Sequence, residues 1–232
     1  MKRIILMIII LSTAAAGVFS SDAFFPTRTG TVQLIANLNS NGKIEGYNRL
    51  TVKNVSGVNS DMTVVYTVQV LDKNQKPVKN IGEREYSVNI SGGVLIYGLD
   101  NMMDAFFAAK GMKYTIMAGN MLIPSNIAPG SSLEDTWMKI DVSVPIIGTV
   151  TANVTMTDIV CAGIETVTVP AGTFEAYKVT QTTTTRTVGW GKSLIVNTGA
   201  TWYVKGIGAV KSVNYDAKGR VESSSELHEL LR

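Results

Sequence analysis

Two glutamates one residue apart, one histidine and one cysteine have the widest chemical repertoire in this chain. Glu83 and Glu85, as alternate residues of an extended stretch, would share a face about 7 Å apart. That separation suits the acid and base of an inverting glycosidase. Arg84 lies between them, and solvated strands often carry Glu-x-Glu, so an exposed face is the expected reading and a hydrolase ranks last. His228 is the only histidine of 232 residues. A Ser-His-Asp or Cys-His centre would have to use it, and a zinc site built from several His or Cys is excluded by count. It reads as a surface residue of the last strand. Cys161 has no histidine near it in sequence and reads as a small apolar residue inside a strand. No calcium loop, complete phosphate loop or nucleophile elbow is present. Neither an enzyme nor a cofactor is expected.

The stretch TWYVKGIGAVK, Thr201 to Lys211, raises one more chemical reading. Its Gly-x-Gly flanked by lysines would suit a phosphate loop if a helix came after it, because the helix N-terminus holds the phosphate. The residues after Gly208 have instead the pattern of strand, turn and strand. Gly206 and Gly208 are therefore expected to permit a bulge or bend between Tyr203 and Val210, with Lys205 and Lys211 as ordinary strand residues.

Positioning any of these residues requires a folded framework, and the chain has the material for one. It is 45% hydrophobic and 17% charged, enough apolar material for a substantial core. Lys2 and Arg3, the apolar run Ile4 to Leu11, and Ser21-Asp22-Ala23 form the three-part layout of a signal peptide spanning residues 1–23, cleaved after Ala23. A single domain over 24–232 is expected. Loss of Lys2, Arg3 and Asp22 takes the formal net charge from +3 to +2. No basic run remains, so nucleic acid is not an expected partner. Export implies the periplasm or cell surface. With one cysteine no internal disulfide can form, and Cys161 lies too far downstream to carry a lipoprotein's lipid.

Alternation is the dominant pattern. Met138, Ile140, Val142 and Val144 fall on one face against Lys139, Asp141 and Ser143, and the pattern resumes after Gly148. About ten to twelve strands with short joins predict an all-β, antiparallel sheet. Three turns share a chemistry: Asn37 to Gly46, Leu71 to Val78 and Asn214 to Ser223, with positive φ expected at Gly42 and Gly219. Leu122 to Asp135 reads as a surface loop and a candidate rim or gate. Thr180 to Val188 should be a strand polar on both faces, at an edge or over a wet surface. One segment departs from the strand pattern. Leu99, Met102, Met103, Phe106 and Phe107 recur at helical spacing between Asp100 and Gly111, predicting an amphipathic helix of about two to three turns. Packing of the core is its expected use ahead of ligand lining. Five methionines fall between Met102 and Met121, a composition suited to irregular apolar space.

FFPTRTGT, NSNGKIEGYNRLTV, VTVPAGTFEAYKVT and TWYVKGIGAVKSVNYDAKGRVESSSEL, in that order, resemble a family of exported bacterial proteins of unknown function, periplasmic proteins of the TapB/DUF type. The resemblance spans the chain after the signal segment and implies the fold of the lipoprotein carriers LolA and LppX: a curved half-barrel, the helix against its concave face, and an apolar cavity between. It implies no catalytic residue. The functional expectation is a non-enzymatic carrier or binder of a lipid or other apolar ligand, lined by Leu99, Met102, Met103, Phe106, Phe107, Met117 and Met121. The alternative is a structural or adhesive envelope module contacting protein or glycan, without a ligand cavity.

Overall fold

The computed structural model describes residues 22–58, 60–79, 81–100, 113–146, 148–189 and 191–232. Among these residues, Val, Ile and Thr at alternating positions form thirteen strands. The first five are β1 Val32–Asn39, β2 Ile44–Val58, β3 Asp61–Asp72, β4 Arg84–Ser91 and β5 Val94–Gly98. Then come β6 Lys113–Ala118, β7 Asn120–Pro124, β8 Thr136–Val144 and the long β9 Gly148–Val169. The last four are β10 Gly172–Val188, β11 Lys192–Val204, β12 Gly208–Tyr215 and β13 Val221–Leu231.

All pair antiparallel in one sheet of order β6-β8-β9-β10-β11-β12-β13-β1-β2-β3-β4-β5-β7. The two end strands, β6 and β7, are separated in the chain by Gly119 alone, whose amide donates to the Trp137 carbonyl at 2.9 Å. One extended segment therefore pairs first with β8 and then with β5, and the sheet nearly closes into a barrel. Closure shows in the packing. Leu50 and Val52 of β2 share a buried cluster with Ile159, Cys161 and Val179 of β9 and β10, strands far apart in the sheet order. Only an interior brings them together.

The predicted hairpin of β8 and β9 is present, with Met138, Ile140 and Val142 buried. So is the bend in TWYVKGIGAVK: Gly206 and Gly208 have φ of 69° and 99°, and the β11–β12 register shifts between Trp202 and Tyr203. The three look-alike turns are built the same way. In each an Asx side-chain oxygen accepts two backbone amides: Asn39 from Asn41 and Lys43, Asp72 from Asn74 and Lys76, Asp216 from Lys218 and Arg220.

The structure narrows two expectations. The Thr-rich run is not at an edge, since β10 is paired on both sides; its two faces are half-exposed, which matches the wet-surface option. The Leu122 to Asp135 loop is no free gate. The Ser131 carbonyl accepts from the Cys161 amide, the Gly130 amide donates to the Cys161 carbonyl and the Leu133 amide to the Ile159 carbonyl. The loop thus takes up the edge of β9 beyond its pairing with β8, and Ile127 enters the core at 6% exposure. Of the helix predicted between Asp100 and Gly111, the described residues hold only the start, where Leu99 and Asp100 are helical; the rest of it lies outside the described residues. Among the described residues, the segment Ala23-Phe24-Phe25 packs into the main core. Residues 1–21 of the signal segment also lie outside the described residues.

Candidate functional site

Phe24 and Phe25 enter the barrel because the chain before β1 is tied down at two points. The Gly206 amide donates to the Ala23 carbonyl at 2.7 Å, and Lys205 reaches Asp22 at 3.5 Å. Gly208 makes room for this approach: a Cβ there would lie 3.2 Å from the Phe24 carbonyl. Phe24 meets the edge of the Tyr177 ring at 5.1 Å between centroids, and Phe25 leans on Tyr66 at 5.1 Å.

Beside the two phenylalanines lies a cavity of about 220 Å³. Leu50, Leu95, Ile123, Met156 and Val179 supply much of its apolar wall, and Tyr97, Tyr203, Gln33 and Gln181 its polar groups. Among the described residues, none that lines it is charged. Three of these polar groups have hydrogen-bond partners. Gln33 Nε2 donates to the Ile207 carbonyl at 2.8 Å. Tyr66 Oη donates to Tyr97 Oη at 3.4 Å, and Tyr203 Oη donates to Met121 Sδ at 3.6 Å. Burial pushes the Tyr66, Tyr97 and Tyr203 hydroxyls above the ordinary tyrosine range. These phenols stay neutral, so the space suits an uncharged apolar group.

Residues 28–227 match the family model described as DUF3108-like. The chain belongs to the DUF3108-like family. Its fold is similar to an exported protein of Bacteroides fragilis with a YmcC-like fold, 22% identical, with a TM-score of 0.73, over 90% of this chain and 99% of that one. A lipoprotein of Parabacteroides distasonis is similar at 20% identity and a TM-score of 0.75, over 91% of this chain and 99% of that one. No curated protein matches.

In this DUF3108-like chain the residues expected to line a ligand separate. Met121 is at the cavity. Leu99 is buried, at 1% exposure, but outside the lining, and Met117 is 57% exposed. Met102, Met103, Phe106 and Phe107 lie outside the described residues. Sequence reasoning missed Phe24, Phe25 and the tyrosines. The signal for the first two was an aromatic pair directly after the leader-like segment.

The candidate chemical residues do not assemble. Glu83 and Glu85 are exposed; Glu83 accepts from Thr67 Oγ1 and pairs with Lys53 at 3.5 Å. The Thr67 hydrogen bond holds its carboxyl below the usual glutamate range, opposite to the raised acid of an inverting pair. Cys161 is fully buried in the main core. His228 is half-buried rather than a free surface residue, its ring edge-on to Tyr47 at 5.3 Å.

Proposed function

We propose that this DUF3108-like protein is an exported, non-enzymatic binder of a neutral apolar ligand, such as part of an acyl chain, held beside Phe24 and Phe25 inside the barrel. The observation that carries the reading is the uncharged, largely apolar lining of the interior cavity. At about 220 Å³ the space is below the roughly 300 Å³ at which drug-sized pockets begin. It therefore takes a short segment of chain rather than a whole lipid. Each buried methylene contributes about 0.8 kcal/mol, so affinity would rise with chain length until the cavity is full.

Export is supported by the leader-like N-terminal segment and by the words used for two proteins of similar fold, an exported protein and a lipoprotein. Attachment through a lipidated cysteine does not fit this chain, because Cys161, its only cysteine, is in the core. The resemblance to lipoprotein carriers points the same way as the cavity.

The test is displacement of an environment-sensitive fluorescent fatty acid, together with native mass spectrometry of gently purified protein. The expected result is one bound chain per protein and a loss of at least tenfold in affinity for Met121→Lys, which places a charge at the wall. A lipid-free protein that ignores the probe overturns the reading. A second reading, an adhesive envelope module, is favoured by a more open groove of about 400 Å³ lined by Asp158, Lys178, Thr180, Thr182 and Tyr215. Its polar rim suits glycan or protein. Oligosaccharide binding that survives Met121→Lys would support it.

A further inference from the structure

The start of β11 presents an open strand edge. β11 pairs with β10 from Lys192 to Tyr203 without a register shift, but with β12 only from Thr198 to Val204. Ser193 to Asn197 therefore has β10 on one side and, among the described residues, no paired strand on the other; only the side-chain amide of Asn197, at its end, reaches across to Glu222 of β13, at 2.9 Å. In an antiparallel ladder the backbone groups point alternately to the two sides, so this edge offers donors and acceptors to an incoming strand.

The side chains point to the same use. Leu194, Ile195 and Val196 are 59%, 51% and 41% exposed, and alternate residues of a strand face opposite ways. Apolar groups thus flank the open edge above and below. The segment SLIVN has no charge and no proline, two of the devices that protect natural edges. Hydrocarbon is a poor cover for such an edge, since open backbone groups find no partner there. An added strand satisfies them. The segment is also its own complement, apolar at 194, 195 and 196 and small and polar at 193 and 197.

We propose that the edge pairs with the same segment of a second copy of this chain, antiparallel about a twofold axis at Ile195. In that register Ile195 faces its own equivalent, Leu194 faces the partner's Val196, and Ser193 faces the partner's Asn197. The apolar cross-strand pairs fall on matching faces, and no like charges oppose within the segment. Five residue pairs bury less than the roughly 1,200 Å² of a standard stable interface, so the dimer is one that dissociates on dilution. The inference is independent of the ligand reading.

Residues directly opposite in an antiparallel pair have Cα atoms about 4.5 to 5.5 Å apart, within disulfide range. Cys161 is fully buried, so Ile195→Cys supplies the one accessible thiol. Mild oxidation of the folded full chain should crosslink Ile195→Cys to a dimer at least tenfold more than Ser193→Cys, whose equivalents lie at opposite ends of the paired segment. Sedimentation velocity over a hundredfold concentration range should show a wild-type dimer, and a monomer for Ile195→Lys with an unchanged melting temperature. A wild type that is monomeric throughout, or equal crosslinking at 193 and 195, or a dimer indifferent to Ile195→Lys, overturns the proposal. So does a monomer whose edge instead binds an added extended peptide or phospholipid vesicles.

Discussion

The amide of Gly206 donates to the carbonyl of Ala23 at 2.7 Å, fastening the start of the described chain to the β11–β12 turn. Ala23 is 5% exposed and Phe24 1%. Cleavage between them, the site expected from the small-x-small pattern, would remove the acceptor and leave the ammonium of Phe24 at the core, where an unpaired charge is costly. We predict that the exported protein retains Ala23, with processing upstream of it. Intact mass and N-terminal sequencing of protein recovered after export decide this. A chain beginning at Phe24 would show that the tie is dispensable.

Phe24 is predicted to be the larger of the two anchors of this segment. It is buried against the Tyr177 and Tyr203 rings, and truncation of a buried phenylalanine costs about 3 to 5 kcal/mol. Phe24→Ala should lower stability to denaturant by that amount. If the protein stays folded, the enlarged interior should admit a longer fatty acid probe than wild type. Equal stability of Phe24→Ala and wild type would place the ring outside the core.

Legibility of the fold in the sequence tracks the range of each interaction. Alternation over Met138 to Val144 and the Asx-Gly turns are local, and the strands and the bends at Gly42, Gly206 and Gly219 were readable from neighbours in sequence. Closure was not. It depends on Gly119 splitting one extended segment between β8 and β5, and neither partner is a sequence neighbour of both halves. The cavity wall was missed for the same reason: Phe24, Tyr97 and Tyr203 meet only once the barrel closes. Polarity of the Thr run was read correctly, and of its two expected places the structure selects the wet surface over the edge. Exposure of both faces in a central strand comes from the half-exposed reach of β10 and β11, a tertiary fact.

Acid should loosen the β12–β13 turn through Asp216. Hydrogen bonds from the Arg220 amide first, and from its guanidinium, hold the Asp216 carboxyl at about 2, below the ordinary 3.8. The folded state thus favours the ionised form. That contribution is complete above about 3.8 and is lost as the pH falls toward 2. Asp216→Asn keeps an oxygen acceptor but no charge. Its melting temperature should lie below wild type at neutral pH, and the gap should close between about pH 4 and 2. A gap that stays constant across that window would remove Asp216 as its source.

The three matching turns supply an internal control for backbone conformation. At equivalent positions stand Gly42, Gln75 and Gly219, with φ of 71°, 61° and 74°, and their amides donate to the carbonyls of Asn39, Asp72 and Asp216 at 2.9 Å each. Only the middle turn places a residue with a Cβ in the left-handed region, where an L side chain costs about 1 to 2 kcal/mol. Glycine there gives back about 0.5 to 1 kcal/mol through the freedom of the unfolded chain. Gln75→Gly should therefore stabilise the protein by about 0.5 to 1 kcal/mol, read from the denaturation midpoint at constant slope. Gly42→Gln and Gly219→Gln should destabilise by a similar amount. Neither glycine has any atom within 4 Å of a built Cβ, so the loss there is conformational rather than steric. Were Gln75→Gly to destabilise, the Gln75 side chain would have to make a contact worth more than the backbone strain it imposes.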